Sequence, residues 1–335
     1  MARKSYLEAI RDAQFEEMKR DPRVFMMGED LTTNLFGATT GFVEAFGAER
    51  VRNTPISEAG FIGAAAGAAM VGMRPIVDVT IASFIYPAMD QLISIIAKSR
   101  YLYGGQARLP LVLRLSMFYG NSTAAQHSDR PYPMLMGVPG LKIILPSNAR
   151  DMKGLLKSAV RDDDPVLCFE DSSLWSSKME VPDDEEVLVP FGQAEVKCEG
   201  TDVTVVALAG AVPLALAAAT ALAQAGVSVE VIDPRTLVPL DVATILRSVR
   251  KTGRLVAVDP AHRTCSAASE IAAIVAEQAF DALRAPVVRV TTPDMHIPFS
   301  PPLEARLFPT RQSITDAIHS VVGHDPAAAR RRGGA

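Results

Sequence analysis

Glu58 sits at the mouth of the stretch TPISEAGFIGAAAGAAMVGMRP, Thr54 to Pro75, which carries no further charge until Arg74. An acid in the first turn of a helix is stabilised by the helix dipole. This carboxylate is therefore either a helix-start residue or a working group with an apolar helix behind it. Gly60, Gly63 and Gly67 fall along one face of that helix. Each glycine costs about 1 kcal/mol relative to alanine inside a helix, so three of them answer a packing need: a partner's helix, a bound group, or the chain's own sheet. His127 is one of five histidines and follows the pliable run YGNSTAAQ. Imidazole is suited to moving a proton near neutral pH, and a lone histidine serves structure as readily. Glu29, in GED, closes an apolar run and reads equally as a solvated strand-end acid. No GxxxxGK(S/T) phosphate loop, GxGxxG, HExxH or GxSxG elbow occurs.

Periodicity and punctuation show the elements that must carry these groups. With 335 residues, 48% of them apolar, the chain can bury two domain cores. A net charge of −4 leaves no basic face for nucleic acid. Cys168, Cys198 and Cys265 lie far apart without a CxxC pair, which excludes a zinc cluster or disulfide framework. The start, MARKSYLEAIRDAQ, turns amphipathic and charged at once and is not a secretory signal, so a soluble, cytoplasmic protein is expected. Ser5 and Glu8 form an S-x-x-E capping box for a first helix with Tyr6, Leu7, Ile10 and Ala13 on one side. Strands are expected at RVFMMGED, MRPIVDVTI, LPLVLRLS, VPGLKIILPSN and PVLCFED. Between them come helices at GFVEAFGAERV, short and ending at Gly47, YPAMDQLISIIAKSRYLYGGQ, stopped by Gly104-Gly105, and ARDMKGLLKSAVRD. Val203–Val229 holds no charge, but Pro213 and Gly226 divide it into strand, helix and strand rather than a membrane span. The acidic segment from Lys178 to Gly200 reads as a linker with a short hairpin. Strands alternating with helices give an α/β fold with parallel sheets in two domains.

At TPISEAG, and again at STAAQHSDRPYP, the chain resembles the β subunit of the thiamine-diphosphate-dependent E1 component of 2-oxoacid dehydrogenase complexes, of the pyruvate and acetoin dehydrogenase type. The blocks MGEDLTTNLFGATTGFVEAFG, DQLISIIAKSRYLYGGQ, VPGLKIILPSNARDMKGLLKSAVRDDDPV, VEVIDPRTLVPLD and PDMHIPFSPPLE extend the resemblance along nearly the whole chain. It implies a parallel-sheet pyrimidine-binding domain over residues 1–178, a linker over 179–200, a transketolase C-terminal-type α/β domain over 201–322 and a disordered tail over 323–335. It also implies an α2β2 heterotetramer that works with a lipoyl acyltransferase, E2. Thiamine diphosphate would be shared with the α subunit, which holds the diphosphate and Mg2+. The chain indeed lacks the Gly-Asp-Gly motif with a distant Asn that serves those groups.

By the resemblance, Glu58 hydrogen-bonds N1′ of the aminopyrimidine, Phe84 packs against that ring, and Ile56, in the same motif as Glu58, also contacts the cofactor. His127 lies in the active-site channel, where it meets the substrate carboxylate or moves a proton. Glu29 lines a polar channel between active sites. Leu111, Ala159, Asp162 and Asp164 match a K+ loop. Two departures stand out: Asp129 replaces the usual Gln after His-Ser, and DRPYPMLMGVPG carries an extra proline and an arginine. They bear on which 2-oxoacid, or acetoin, is used. His262 is assigned no chemistry. Two rivals remain: the C-terminal half of a split transketolase, for which Arg130 would be a sugar-phosphate ligand, and a non-catalytic scaffolding subunit.

Overall fold

The first helix begins where its capping pair puts it. In the computed structural model, which describes residues 2–182 and 187–324, the Ser5 side chain accepts from the Glu8 amide and the Glu8 carboxylate accepts from the Ser5 amide. The chain divides into two compact units, Met1–Phe191 and Gly192–Ala335.

The first unit comprises β1 (Ala2–Ser5), α1 (Tyr6–Arg20), β2 (Val24–Gly28), α2 (Phe42–Phe46), β3 (Val51–Asn53), α3 (Glu58–Met70), β4 (Arg74–Ile81), α4 (Ser99–Leu102), β5 (Val112–Met117), α5 (Ala124–His127), α6 (Tyr132–Met136), β6 (Lys142–Ile144), α7 (Ala149–Arg161), β7 (Val166–Asp171) and β8 (Lys178–Val181). Its sheet runs β6-β7-β5-β4-β2-β3, every pair parallel. β2, β5 and β7 are buried along their whole length, as expected of strands covered on both faces. Ile10, Ala13 and Met18 of α1 pack with Met152, Leu155 and Leu156 of α7 in one core. The same two helices are cross-linked by Glu16, which receives the buried Lys153 and Lys157 at 2.7 Å each. Phe61, Ile62, Ala65, Ala66 and Ala69 form the buried side of α3.

Two expectations need correction. The segment from Tyr86 to Gly105 is not one α-helix. A 3-10 stretch over Ala82–Ala88, which contains Pro87, passes into a π-helical stretch over Asp90–Ile96 and then into the short α4. Proline lacks the amide that would continue an α-helical ladder and crowds the preceding turn. Beyond it, wide π turns carry the chain on, with the Ala97 amide reaching the Leu92 carbonyl at 2.9 Å. Among the described residues, the segment 178–200 does not form a hairpin with itself either. β8 pairs antiparallel with β1, and β9 (Glu195–Cys198) pairs antiparallel with β11 (Val229–Asp233). β8 forms a two-stranded ladder with β1 and β9 adds to the edge of the second unit's sheet, so the backbone groups of both strands are paired without a hairpin interrupted by Pro182 and Pro190.

The second unit adds to these β10 (Val203–Ala207), α8 (Ala211–Ala223), β12 (Thr236–Val238), α9 (Val242–Thr252), β13 (Leu255–His262), α10 (Ala267–Gln278), β14 (Val288–Thr292), α11 (Pro301–Glu304) and α12 (Arg311–Val322). Its sheet runs β14-β13-β10-β11-β9. The uncharged Val203–Val229 segment is the expected strand, helix and strand, and Gly226 takes φ +79° after α8. Among the described residues, no helix is long and apolar enough to cross a membrane. The acidic residues 183–186 and the tail from 325 onward lie outside the described residues.

Candidate active site at the carboxyl edge of the first sheet

Because β2, β3, β4 and β5 run parallel, their carboxyl ends share one edge of the sheet, where ligands of open α/β folds bind. Glu29 follows β2, Thr54 follows β3, and Phe84 follows β4. Glu58 is the first residue of α3, where the helix leaves amide donors without intrahelical partners. The Thr54 amide donates to the Gly28 carbonyl at 2.9 Å, fixing the loop before Glu58 to the end of β2. Glu58 is half-buried and Ile56 is 84% exposed.

Gly60 and Gly67 of α3 face outward, and a Cβ on Gly67 would meet nothing within 4 Å. The chain's own sheet therefore does not require glycine there. Gly63 faces Gln91, whose Cγ would lie 3.5 Å from an added Cβ.

Glu29 sits among acids. Burial pushes its carboxyl above the ordinary glutamate value, and the charges of Glu58, Asp30 and Asp78 push it further in the same direction. Three buried side-chain oxygens near this edge have no hydrogen-bond partner: Glu29 Oε1, Thr54 Oγ1 and Gln91 Oε1. Buried polar atoms normally are paired, and these three oxygens are open to water or a bound group. Glu29 and Asp78 also line a small cavity with Thr80, Arg114, Ser116 and Trp175. Beneath it lies a buried ion cluster. Arg114 donates to both Glu170 oxygens at 2.6 and 2.9 Å, to Asp78 Oδ2 at 2.9 Å and to Gln14 Oε1 at 3.1 Å. Burial alone would lower the guanidinium's pKa, but Glu170 and Asp78 outweigh it and hold Arg114 charged.

The path from Asp78 to Phe84 is locally strained. The β4–β5 register shifts between Asp78 and Ile81, and Thr80 takes φ +65°, which a β-branched residue rarely adopts. The Thr80 amide donates to Asp78 Oδ1 at 2.9 Å and holds this kink. Such bulges re-aim a strand next to a site. Here the kink delivers Ser83, Phe84 and Tyr86 to the segment 126–129 in three successive contacts. Ser83 Oγ donates to the Gln126 carbonyl at 2.5 Å. The Phe84 and His127 rings meet edge-to-face with centroids 5.4 Å apart. The Tyr86 hydroxyl donates to Asp129 Oδ2 at 3.0 Å.

Each of the four positions expected to hold K+ has a protein partner. Leu111 O accepts from the Val166 amide (2.9 Å), and Ala159 O from the Asp162 amide (3.2 Å). Lys142 Nζ lies 2.8 Å from both Asp162 oxygens and 3.2 Å from Asp164, which also accepts from Arg100 Nε at 2.5 Å. In the second unit, the His262 ring lies 3.0 Å from the Met295 carbonyl through Nε2.

Sequence reasoning missed Asp78, Arg114, Glu170, Thr54, Gln91 and Tyr86. For the first three a signal existed: a lone charge inside each of the apolar strand runs IVDVT and LVLRLS, and the acidic pair that ends VLCFED, where charge is buried only when paired.

Residues 2–176 match the transketolase pyrimidine-binding domain family, and residues 192–314 match the transketolase C-terminal domain family. The chain is 42% identical over 337 residues to the β subunit of an acetoin:2,6-dichlorophenolindophenol oxidoreductase of Bacillus subtilis, covering 96% of this chain and 98% of that one. This chain belongs to the transketolase-like E1 β-subunit family. That family comprises the β subunits of thiamine-diphosphate-dependent 2-oxoacid dehydrogenase E1 components. Two other E1 β relatives carry different names. The pyruvate dehydrogenase E1 component subunit beta of Rhizobium meliloti is 40% identical over 323 residues, covering 96% of this chain and 70% of that one. The 2-oxoisovalerate dehydrogenase subunit beta of Bacillus subtilis is 44% identical over 304 residues, covering 90% and 93%. A solved split-gene transketolase, described as an inactive β4 tetramer, shares the E1 β fold with a TM-score of 0.78 at 25% identity over 95% of this chain and 98% of that one.

Proposed function

We propose that this E1 β chain supplies half of a thiamine-diphosphate site, completed by an α subunit that holds the diphosphate and Mg2+, and that the assembled enzyme passes an acyl group from a 2-oxoacid or acetoin to the lipoyl group of an E2 acyltransferase. The observation that carries this reading is the grouping of Glu58, orphaned Glu29 and the Phe84–His127 pair on one strand edge. The residues fit the cofactor: an acid for a ring nitrogen, an aromatic face, and unpaired acceptors beside them. When bound, thiamine diphosphate supplies carbanion chemistry at a carbonyl carbon. Glu58 would hold the aminopyrimidine N1′ in a partly dry setting, where one charged hydrogen bond is strong. Phe84 would pack against the ring, and Ile56 would be covered once the partner is in place. His127, braced by Phe84, would face the substrate and hold or move a proton. A monovalent cation such as K+ would have to use the remaining lone pairs of the Leu111 and Ala159 carbonyls, since Lys142 already faces Asp162 and Asp164.

The test is calorimetric titration of thiamine diphosphate with Mg2+ into this chain alone and into the chain co-expressed with its α partner. Binding is expected only in the mixture, and Glu58→Ala should weaken it about 10- to 100-fold, the worth of one charged hydrogen bond. Tight binding to the chain alone, or an unaffected Glu58→Ala complex, would overturn the reading.

A further inference from the structure

The third of the contacts between the Ser83–Tyr86 turn and segment 126–129 differs in kind from the other two. It places a carboxylate, Asp129, two residues beyond His127, where Tyr86 anchors it from 43 residues away in sequence. A phenol satisfies a carboxylate oxygen without cancelling its charge. Burial, and then Asp129 itself, push the Tyr86 hydroxyl well above its ordinary value, so it stays a neutral donor at working pH. The segment around Asp129 is held from both sides. Thr123 Oγ1 and Ser128 Oγ are 2.7 Å apart, and buried Arg130 donates to the Ser128 and Phe118 carbonyls at 2.8 and 3.3 Å. A carboxylate on a braced segment cannot simply swing away from an incoming anion.

We propose, on the reading of the site given above, that Asp129 held by Tyr86 determines substrate class: its fixed negative charge beside His127 disfavours substrates that carry a carboxylate and biases the site towards a neutral α-hydroxyketone. A 2-oxoacid brings a full negative charge into the site, whereas an acyloin brings a hydroxyl and a carbonyl. If a substrate carboxylate came within about 6–8 Å of Asp129, the repulsion in a medium between protein surface and water would change relative affinity roughly tenfold. Charge, not shape, is the discriminating quantity, because the reacting carbonyl is common to both substrates.

The experiment uses the holoenzyme, co-expressed with its α partner and loaded with thiamine diphosphate and Mg2+, with dichlorophenolindophenol as the electron acceptor. The readout is the ratio of kcat/KM for pyruvate to that for acetoin. Asp129→Asn should raise this ratio about tenfold, mainly through the pyruvate KM, and Asp129→Glu should return it towards the wild-type value. Asp129→Gln serves as the second neutral variant if Asp129→Asn does not assemble. Tyr86→Phe keeps the charge but frees it from its anchor, and should move the ratio about two- to threefold, part of the way towards that of Asp129→Asn. A ratio unmoved by both neutral variants while both substrates are turned over would overturn the proposal and leave the function standing. A shift in Tyr86→Phe as large as in Asp129→Asn would also overturn it, because loop shape would then be selecting. A wild-type holoenzyme that turns over neither pyruvate, 2-oxoisovalerate nor acetoin would overturn the site reading itself, and one that turns over 2-oxoisovalerate but not acetoin would overturn this proposal and leave that reading standing.

Discussion

Arg114→Met removes the cation that faces Glu170, Asp78 and Gln14, and it removes it from a place water barely reaches: the Arg114 and Glu170 side chains are 3% and 0% exposed. What remains is a buried carboxylate with its two strongest donors gone. Breaking a buried pair from one side costs about 3–5 kcal/mol. A folding unit of this size loses about 2–4 °C of Tm per kcal/mol, so the fall should be about 6–20 °C. The double variant Arg114→Met with Glu170→Leu deletes the orphan as well, and apolar replacement of a buried pair is often close to neutral. It should therefore be more stable than Arg114→Met alone, with a coupling of about 1.5 kcal/mol or more. The assay is urea and thermal unfolding followed by tryptophan fluorescence, because the single tryptophan, Trp175, lines the same cavity as Arg114. A loss below about 1 kcal/mol in the single variant would refute the reasoning. So would a double variant as unstable as the sum of the two singles.

Glu29 gives a pH signature. Its carboxyl is raised, so the folded chain keeps a proton that the unfolded chain has released. Stability falls as pH climbs from about 4.3 through the raised value, and the full cost is present above it. Glu29→Gln should therefore raise Tm near pH 7.5 and lose that advantage near pH 4; equal gains at both would contradict the assignment. Gly28, at the end of β2, approaches β4 so closely that an added Cβ would fall on the Asp78 carbonyl oxygen. Gly28→Ala should cost about 2–4 kcal/mol and disturb Glu29 with it, and a Tm within about 2 °C of wild type would show that the strands part freely.

Local physics was legible in the sequence. The Ser5–Glu8 box, the βαβ unit broken at Pro213 and Gly226, and the helix closed at Gly47 all depend on neighbours within a few residues. The resemblance drew Glu58, Phe84 and His127 together, and the structure brings the Phe84 and His127 rings into contact. What was not legible depends on distant partners. β8 finds β1 across more than 170 residues, Arg114 finds Glu170 at a separation of 56, and Tyr86 finds Asp129 at 43. A single sequence carries no periodicity for such pairs. The π-helical stretch escaped for another reason: its apolar spacing is close to that of an α-helix, and only the ladder shift after Pro87 separates them.

The pairing of β1 with β8 has a mechanical meaning. Ala2 lies opposite Val181 and Ser5 opposite Lys178, so the chain enters and leaves this pair of strands at the same end. A pull applied to Ala2 and Val181 opens the rungs one at a time, as a zipper, instead of loading them together in shear. Opening proceeds towards Ser5, whose hydroxyl caps α1, so the last rung to part is the one tied to the first helix. Between those two strands the polypeptide runs as a nearly closed circuit, and tension at its ends falls on this clasp before it reaches the parallel sheet.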